Sequence, residues 1–115
     1  MAPDPKPVKR YRASLDEWTT WRRDLADNNC WVCDGPWQEL HHIYPRSQGG
    51  DDDIDNLAPL CRPCHGLVEA HDPYARSQIR GALLFNHTRY LERKTYDAVA
   101  WLQRQYPLLP ARTEP

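Results

Sequence analysis

Four cysteines and three histidines are the residues whose types and spacing could do chemistry in this chain. They are grouped as Cys30-x2-Cys33, His41-His42 and Cys61-x2-Cys64-His65. Thiolates in close pairs of this kind are typical ligands of a tetrahedral zinc ion. Imidazoles beside such a site can bind a second metal ion or take a proton from a water molecule. The segment therefore predicts a structural zinc site next to a catalytic metal site.

Other uses of the four cysteines fit the sequence less well. Two disulfides would suit a secreted protein, but the N-terminal residues are polar and proline-rich, unlike a signal peptide. The x2 pairs favour thiols held by metal in a reducing compartment. A zinc finger with two Cys and two His ligands fails on its histidine spacing, and a nucleobase deaminase would need a His-x-Glu motif. A redox protein using Cys-x2-Cys would leave the histidines unexplained.

The predicted fold is a small α+β domain with a strand–strand–helix (ββα) core. Residues 38–44 should form a strand that carries both histidines of the dipeptide, on opposite sides if the pairing is regular. A polar loop at 45–53 follows, and residues 54–60 read as the returning strand. A helix should begin at Arg62-Pro63 and run to about Ala70, because proline suits a first turn.

Helices are expected on both sides of this core. Ser14 and Glu17 form a capping box at a helix start. A helical apolar face follows, whose Trp residues we expect to join the core, with a base-stacking platform as the alternative: Leu15, Trp18, Trp21 and Leu25. Ile79, Leu83 and Leu84 suggest a further helical segment. Thr95 should cap a last helix through about Tyr106, burying Tyr96, Val99, Ala100, Leu102 and Tyr106. We expect this C-terminal part to cover the core, with a DNA-docking or partner-binding helix as the alternative. The predicted division is a basic flexible arm (1–12), the core (13–72), a helical extension (73–106) and a flexible tail (107–115).

Two charged features flank these elements. The chain has 15 basic and 16 acidic residues, so its net charge of −1 does not indicate a nucleic-acid binder. Basic residues nevertheless cluster early and late, and could contact phosphates or simply be solvated: Lys9, Arg10, Arg12, Arg89, Arg93 and Lys94. The acidic run Asp51-Asp52-Asp53 after the turn residues Gly49-Gly50 reads as a solvated turn and not as a calcium loop.

The region from about Leu25 to Ala70 resembles the HNH endonucleases, the ββα-metal (His-Me finger) class with a four-Cys zinc site. His42, Asn56 and His65 stand at the three positions that give the family its name. The resemblance implies that His41 and His65 bind the catalytic ion and that His42 is the general base. It implies further that Asn56 holds the loop by hydrogen bonds. Relatives often carry a histidine at position 69, where Glu69 is an optional third ligand or a solvated helix residue.

The resemblance implies a metal-dependent endonuclease that nicks or cuts double-stranded DNA. The expected cofactors are structural Zn²⁺ and a catalytic Mg²⁺, Mn²⁺ or other divalent ion. The candidate DNA contacts are Lys9, Arg10, Arg12, Arg46 and Arg62. We expect a bacterial or phage-encoded protein of the cytoplasm that needs no membrane, with a homodimer or a phage packaging component as a further partner. The alternative is a catalytically silent zinc-stabilised module that binds nucleic acid.

Overall fold

The computed structural model describes residues 10–86 and 88–108 of the chain. In chain order the elements are α1 (Leu15–Asp24), β1 (Glu39–His42), β2 (Leu57–Leu60), α2 (Arg62–Glu69), α3 (Pro73–Asn86), α4 (Thr88–Lys94) and α5 (Ala98–Gln105). The predicted α+β class and the order strand, strand, helix are confirmed. Lys9 and most of the two predicted flexible ends lie outside the described residues. None of the helices described is long and apolar enough to cross a membrane.

α1 begins as predicted but does not join the core. The Ser14 hydroxyl accepts from the backbone N–H of Glu17, and the Glu17 carboxylate accepts from the N–H of Ser14, which completes the capping box. The helix buries none of its residues, and Leu15 is 79% exposed. The prediction of a core-facing apolar stripe is therefore wrong. Trp18 lies instead against His42, with the two ring centroids 6.0 Å apart.

The two strands form an antiparallel hairpin in which His41 faces Ala58. Each strand has four residues and is shorter than predicted. On the returning side, the carboxylate of Asp53 caps a 3-10 turn at Ile54–Asn56, so the backbone becomes extended only at Leu57. The connection between the strands, residues 43–56, is thus longer than the predicted loop at 45–53.

The glycine pair is required by that loop. Gly49 has a φ of 93°, in the left-handed region where a side chain is strained. A Cβ on Gly50 would stand 1.8 Å from the backbone oxygen of Tyr44, which leaves no room for any other residue. The loop can therefore turn back onto the end of β1, where the two histidines lie.

α2 follows β2 directly and packs against the hairpin. Pro63 stands in its first turn, as predicted, and the helix ends at the C-cap Ala70. Cys64 and Val68, four residues apart, are its buried residues. The residues one position further, His65 and Glu69, consequently lie side by side and both contact β1.

α3, α4 and α5 complete the hydrophobic core. Among the described residues, their fully buried large side chains include Ile79, Leu83, Leu91 and Leu102. These pack in one cluster with Ile43 and Val68 of the ββα core. Because burying such a side chain is worth roughly 1.5–3 kcal/mol, the C-terminal helices are part of the fold and not an appendage.

The last helix is displaced from its predicted start. Asp97 caps it instead of Thr95, accepting from the N–H of Ala100, and α5 begins at Ala98. Tyr96 precedes the helix, and Val99 lies outside the face formed by its buried residues, so these two side chains are 70% and 54% exposed. Their predicted burial is wrong. Trp101, Leu102 and the following Tyr106 are buried.

Candidate metal centres and active site

The four cysteine side chains meet at one point, from two separate parts of the chain. Their sulfur atoms all lie within 4.8 Å of one another, and the Sγ atoms of Cys33 and Cys61 are 3.7 Å apart. Thiolates about 2.3 Å from a tetrahedral zinc ion would lie about 3.8 Å from each other, so the donor set fits zinc. All four cysteines are free, which excludes the disulfide alternative within this structure. The predicted clustering of Cys30, Cys33, Cys61 and Cys64 is confirmed.

The backbone around the first cysteine pair prepares it to bind a cation. Burial opposes ionisation of Cys30, but N–H groups of Cys33 and Cys61 point at its sulfur and lower its pKa to about 7. The N–H of Trp31 donates to the backbone oxygen of Pro59 in β2. The cysteine cluster thereby fastens the loop after α1 to the hairpin.

A second group of donors lies beside the cysteines, on β1 and α2. His41, His65 and Glu69 each offer one donor atom, and these atoms lie within 4.8 Å of one another. One oxygen of Glu69 is 3.2 Å from Nδ1 of His41 and 3.1 Å from Nε2 of His65. Hydrogen bonding from His41 is the main cause that lowers the pKa of Glu69, to about 2. Two imidazoles and one carboxylate at this separation can hold a divalent ion.

Each histidine of this group has a second polar partner on its other ring nitrogen. Nδ1 of His65 is 2.9 Å from a carboxylate oxygen of Glu39. Nε2 of His41 is 2.7 Å from the hydroxyl of Tyr106. Burial lowers the pKa of His41, which favours the neutral imidazole. Such partners fix the orientation and the tautomer of a metal-binding histidine.

His42 has different neighbours from His41. Its Nε2 is 2.8 Å from an oxygen of Asp52, and the guanidinium of Arg10 binds the same carboxylate. Burial lowers the pKa of His42 more than this hydrogen bond raises it. Burial alone would raise the pKa of Asp52, but hydrogen bonds from His42 and from the N–H of Ala13, together with Arg10, lower it. The arrangement is a neutral imidazole that donates to an ionised carboxylate, with Nδ1 free of any partner among the described residues.

Asn56 joins the two ends of the loop and is completely buried. Its Oδ1 accepts from the N–H of Tyr44 at 2.7 Å, and its Nδ2 donates to the backbone oxygens of Tyr44 and Asp51 at 3.1 and 3.0 Å. The N–H of Ile43 donates to the backbone oxygen of Asn56 at 2.9 Å. Asn56 touches neither donor group, so it positions the loop that carries Asp52.

The donor group and His42 line one cleft of about 860 Å³. Trp18 and Arg22 of α1 contribute to the cleft, and Arg46 contributes from the loop. Arg46 is exposed, so its guanidinium can meet a ligand that enters. The cleft therefore combines a candidate metal site, a candidate base and positive charge.

The basic residues expected on the DNA side divide into available and internal charges. Arg12 and Arg46 are exposed, and Arg62 is 76% exposed with Glu39 3.6 Å away. Arg10 belongs to the part of the predicted arm that the structure describes, and its guanidinium is bound to the carboxylate of Asp52. Lys94 is 3% exposed and pairs with Asp51 at 2.9 Å, so it is neither available to phosphates nor solvated.

Sequence reasoning missed three residues of the site. Asp52 is 5% exposed and holds His42, so the prediction of a solvated acidic turn is wrong at this position. Glu39 could have been found, because residues two apart on a strand share a face and Glu39 precedes His41 by two. Tyr106 carries no sequence signal, since it comes from the end of the C-terminal extension.

Comparisons with known proteins fit this geometry. Residues 29–70 match the family model described as HNH endonuclease. A segment is 63% identical over 27 residues to "Probable mobile endonuclease C" of Enterobacteria phage T4, covering 24% of this chain and 13% of that protein. Another is 50% identical over 30 residues to the type IV methyl-directed restriction enzyme EcoKMcrA of Escherichia coli, covering 26% of this chain and 11% of that protein.

A third relative is not named as a nuclease. A segment of 48 residues is 38% identical to anaredoxin of a Nostoc species, covering 37% of this chain and 59% of that protein. In all three cases the chain covers less than two thirds of the relative's length. No solved structure matches the chain.

Proposed function

We propose, from the HNH endonuclease domain that residues 29–70 form, that this protein hydrolyses phosphodiester bonds of double-stranded DNA. The observation that carries the proposal is one cleft lined by the donor group His41, His65 and Glu69 and by His42. Phosphodiester hydrolysis needs a positioned water, a proton acceptor and positive charge near the leaving oxygen. The residues of the cleft can supply the first two, and a bound divalent ion supplies the third as a Lewis acid.

His42 is the proposed general base. A base that works near neutral pH must be unprotonated and must offer a lone pair to the water. Burial lowers the pKa of His42, which keeps the ring neutral. Asp52 accepts the proton of Nε2, and this leaves the lone pair on Nδ1 to receive the proton of the attacking water.

His41, His65 and Glu69 are the proposed ligands of the catalytic ion. Imidazole nitrogens favour Mn, Ni, Co or Zn by affinity, whereas the carboxylate suits Mg as well. The second pair of cysteines directly precedes His65, so zinc binding would fix the start of α2 and with it the position of this histidine. The proposal therefore contains a structural zinc ion and a separate catalytic ion, as in the sequence-based prediction.

DNA phosphates are proposed to lie along the mouth of the cleft. Arg46 lines it, while Arg12 and Arg62 are exposed but do not line it. Contacts of this kind position the backbone without reading sequence. We therefore expect these arginines to bind DNA with little preference for its base sequence.

Two alternative functions account for fewer of the residues in the cleft. A silent binding module would keep the cysteine cluster but gives no use for two imidazoles and a carboxylate arranged as metal donors. The likeness to anaredoxin points by name to a redox protein, and that reading leaves His42 and Asp52 without a role. Elemental analysis would separate the two functions, because a redox protein that uses its Cys-x2-Cys thiols would hold no zinc ion, whereas the proposed nuclease holds one.

The test is a plasmid-nicking assay with the purified, zinc-loaded chain. Supercoiled plasmid should become relaxed or linear when Mg²⁺, Mn²⁺, Co²⁺, Ni²⁺ or Zn²⁺ is added in turn, and should stay intact with a chelator. His42→Ala, purified identically, controls for contaminating nucleases. A protein that carries its zinc but leaves the plasmid intact with every ion would remove the proposal.

A further inference from the structure

Tyr106, directly after α5, reaches into the donor group from the far end of the chain. Its hydroxyl is 2.7 Å from Nε2 of His41, although the two residues are 65 positions apart. The side chain is fully buried, with the guanidinium of Arg76 4.7 Å from the centroid of its ring. The hydroxyl donates to the backbone oxygen of Ile43 at 3.3 Å. The tyrosine is therefore held on more than one side before it meets His41.

The protons of this contact can be assigned for the metal-bound state. A neutral imidazole has one N–H and one lone pair, and Nδ1 of His41 is the nitrogen that faces Glu69. If Nδ1 gives its lone pair to a cation, the proton must lie on Nε2. The Tyr106 hydroxyl gives its single proton to Ile43 and keeps a lone pair, so it can accept from that Nε2–H. By accepting this hydrogen bond, the hydroxyl favours the His41 tautomer with its proton on Nε2, which is the one that metal binding through Nδ1 requires.

His65 has an equivalent hydrogen-bond partner on its second ring nitrogen, supplied by the ββα core. Glu39 lies 2.9 Å from Nδ1 of His65 and leaves Nε2 for the ion. His41 has no such carboxylate on Nε2, since Tyr106 is its polar partner there among the described residues. Partners of this type typically change metal affinity or activity by about 10–100-fold.

We propose that Tyr106 is a positioning residue for the catalytic metal site, which holds His41 with its proton on Nε2 and Nδ1 offered to a divalent cation. The C-terminal extension is then a working part of the metal site as well as a cover for the core. This inference rests on the proposed function, because it takes His41 to be a ligand of the catalytic ion.

Tyr106→Phe tests it, with Tyr44→Phe as a matched control. Tyr44 is also fully buried, and its hydroxyl donates to a backbone oxygen, that of Lys94, at 3.4 Å. Both variants lose one buried hydroxyl, but only Tyr106→Phe loses the partner of His41. Calorimetric titration of the zinc-loaded proteins with Mn²⁺ should show about 10–100-fold weaker binding for Tyr106→Phe and parental binding for Tyr44→Phe.

A second measurement reads the proton directly. In ¹⁵N-histidine-labelled parent protein saturated with Mg²⁺ or Zn²⁺, NMR should show the His41 proton on Nε2, protected from exchange. In Tyr106→Phe this protection should be lost. A proton on Nδ1 in the saturated parent would overturn the inference, and it would do so even if Tyr106→Phe failed to fold.

The outcomes separate this inference from the proposed function. If the parent nicks DNA and Tyr106→Phe binds Mn²⁺ like the parent, the positioning role of Tyr106 is rejected and the proposed nuclease activity is retained. If no plasmid is nicked but Tyr106→Phe weakens Mn²⁺ binding as expected, the proposed nuclease activity is rejected and the positioning role of Tyr106 at the metal site is retained.

Discussion

Nε2 of His42 lies 2.8 Å from a carboxylate oxygen of Asp52, which is itself held by Arg10. An imidazole bound in this way has a fixed ring orientation and keeps its other nitrogen for a reaction partner. The pair joins β1 to the acidic loop, and Asn56 fixes that loop to the end of β1. The loop thus positions the candidate base without contacting the candidate metal ligands.

Asp52→Asn should slow cleavage by orienting His42 less well. We expect a loss of at least about 10-fold, smaller than the roughly 10²–10⁴-fold loss expected when a general base is removed. Single-turnover rates on supercoiled plasmid would measure it. Asp53→Asn is the matched control, because it removes a charge from the same loop while an asparagine can still cap the 3-10 turn. Equal rates for Asp52→Asn and the parent would show that the His42–Asp52 contact has no part in catalysis.

The cysteine cluster should determine stability. Because metal-binding free energy at such a site is folding free energy, Cys61→Ser should lose zinc and unfold or aggregate. Elemental analysis and thermal unfolding followed by circular dichroism would check this. The parent protein dialysed against a weak chelator should retain one zinc ion per chain. A stable, zinc-free Cys61→Ser variant would contradict the four-thiolate site.

The pH dependence of cleavage should reflect the neutral form of His42. Burial lowers its pKa below the ordinary 6.5, although hydrogen bonding to Asp52 acts the other way. A base works only when unprotonated, so activity should be present above this lowered pKa and be lost as pH falls through it. The acidic limb of the rate profile should therefore have its midpoint below pH 6.5. A midpoint above that value would mean that another group limits the rate.

Arg46 should bind DNA more strongly than basic residues outside the cleft. Arg46→Glu should weaken affinity for unrelated DNA sequences alike and reduce the salt dependence of binding. Arg89→Glu makes the same change at an exposed position of α4 that does not line the cleft. Fluorescence anisotropy at several salt concentrations would compare them. Equal losses in the two variants would indicate diffuse attraction and no contact at the cleft.

The fold and the four-cysteine site could be predicted because their signals are local. Two Cys-x2-Cys pairs and a proline in the first turn of α2 specify ligands and boundaries over a few residues. The α1 prediction failed because periodicity shows that a helix has an apolar face without showing what covers it. The start of α5 was misplaced because Thr95 and Asp97 are both good caps, and its buried face was misassigned because spacing does not show which side of a helix packs on the core.

The partners of the site residues could not be predicted in the same way. Tyr106 reaches His41 only through the packing of α3, α4 and α5 on the ββα core. Asp52 reads as one solvated carboxylate among several until the tight turn around Gly50 brings it to His42. Such contacts depend on long-range placement, which composition and spacing do not contain.

The central claim is that His42 acts in catalysis while His41 and His65 act through the metal ion. The most direct measurement is the single-turnover cleavage rate of His42→Ala, taken with its zinc content and its Mn²⁺ affinity. We expect His42→Ala to be a folded, zinc-loaded protein that binds Mn²⁺ and DNA like the parent and cleaves about 10²–10⁴-fold more slowly. His65→Ala should instead lose Mn²⁺ affinity together with activity. If His42→Ala cleaves at the parental rate, the base has been misassigned and the account is contradicted.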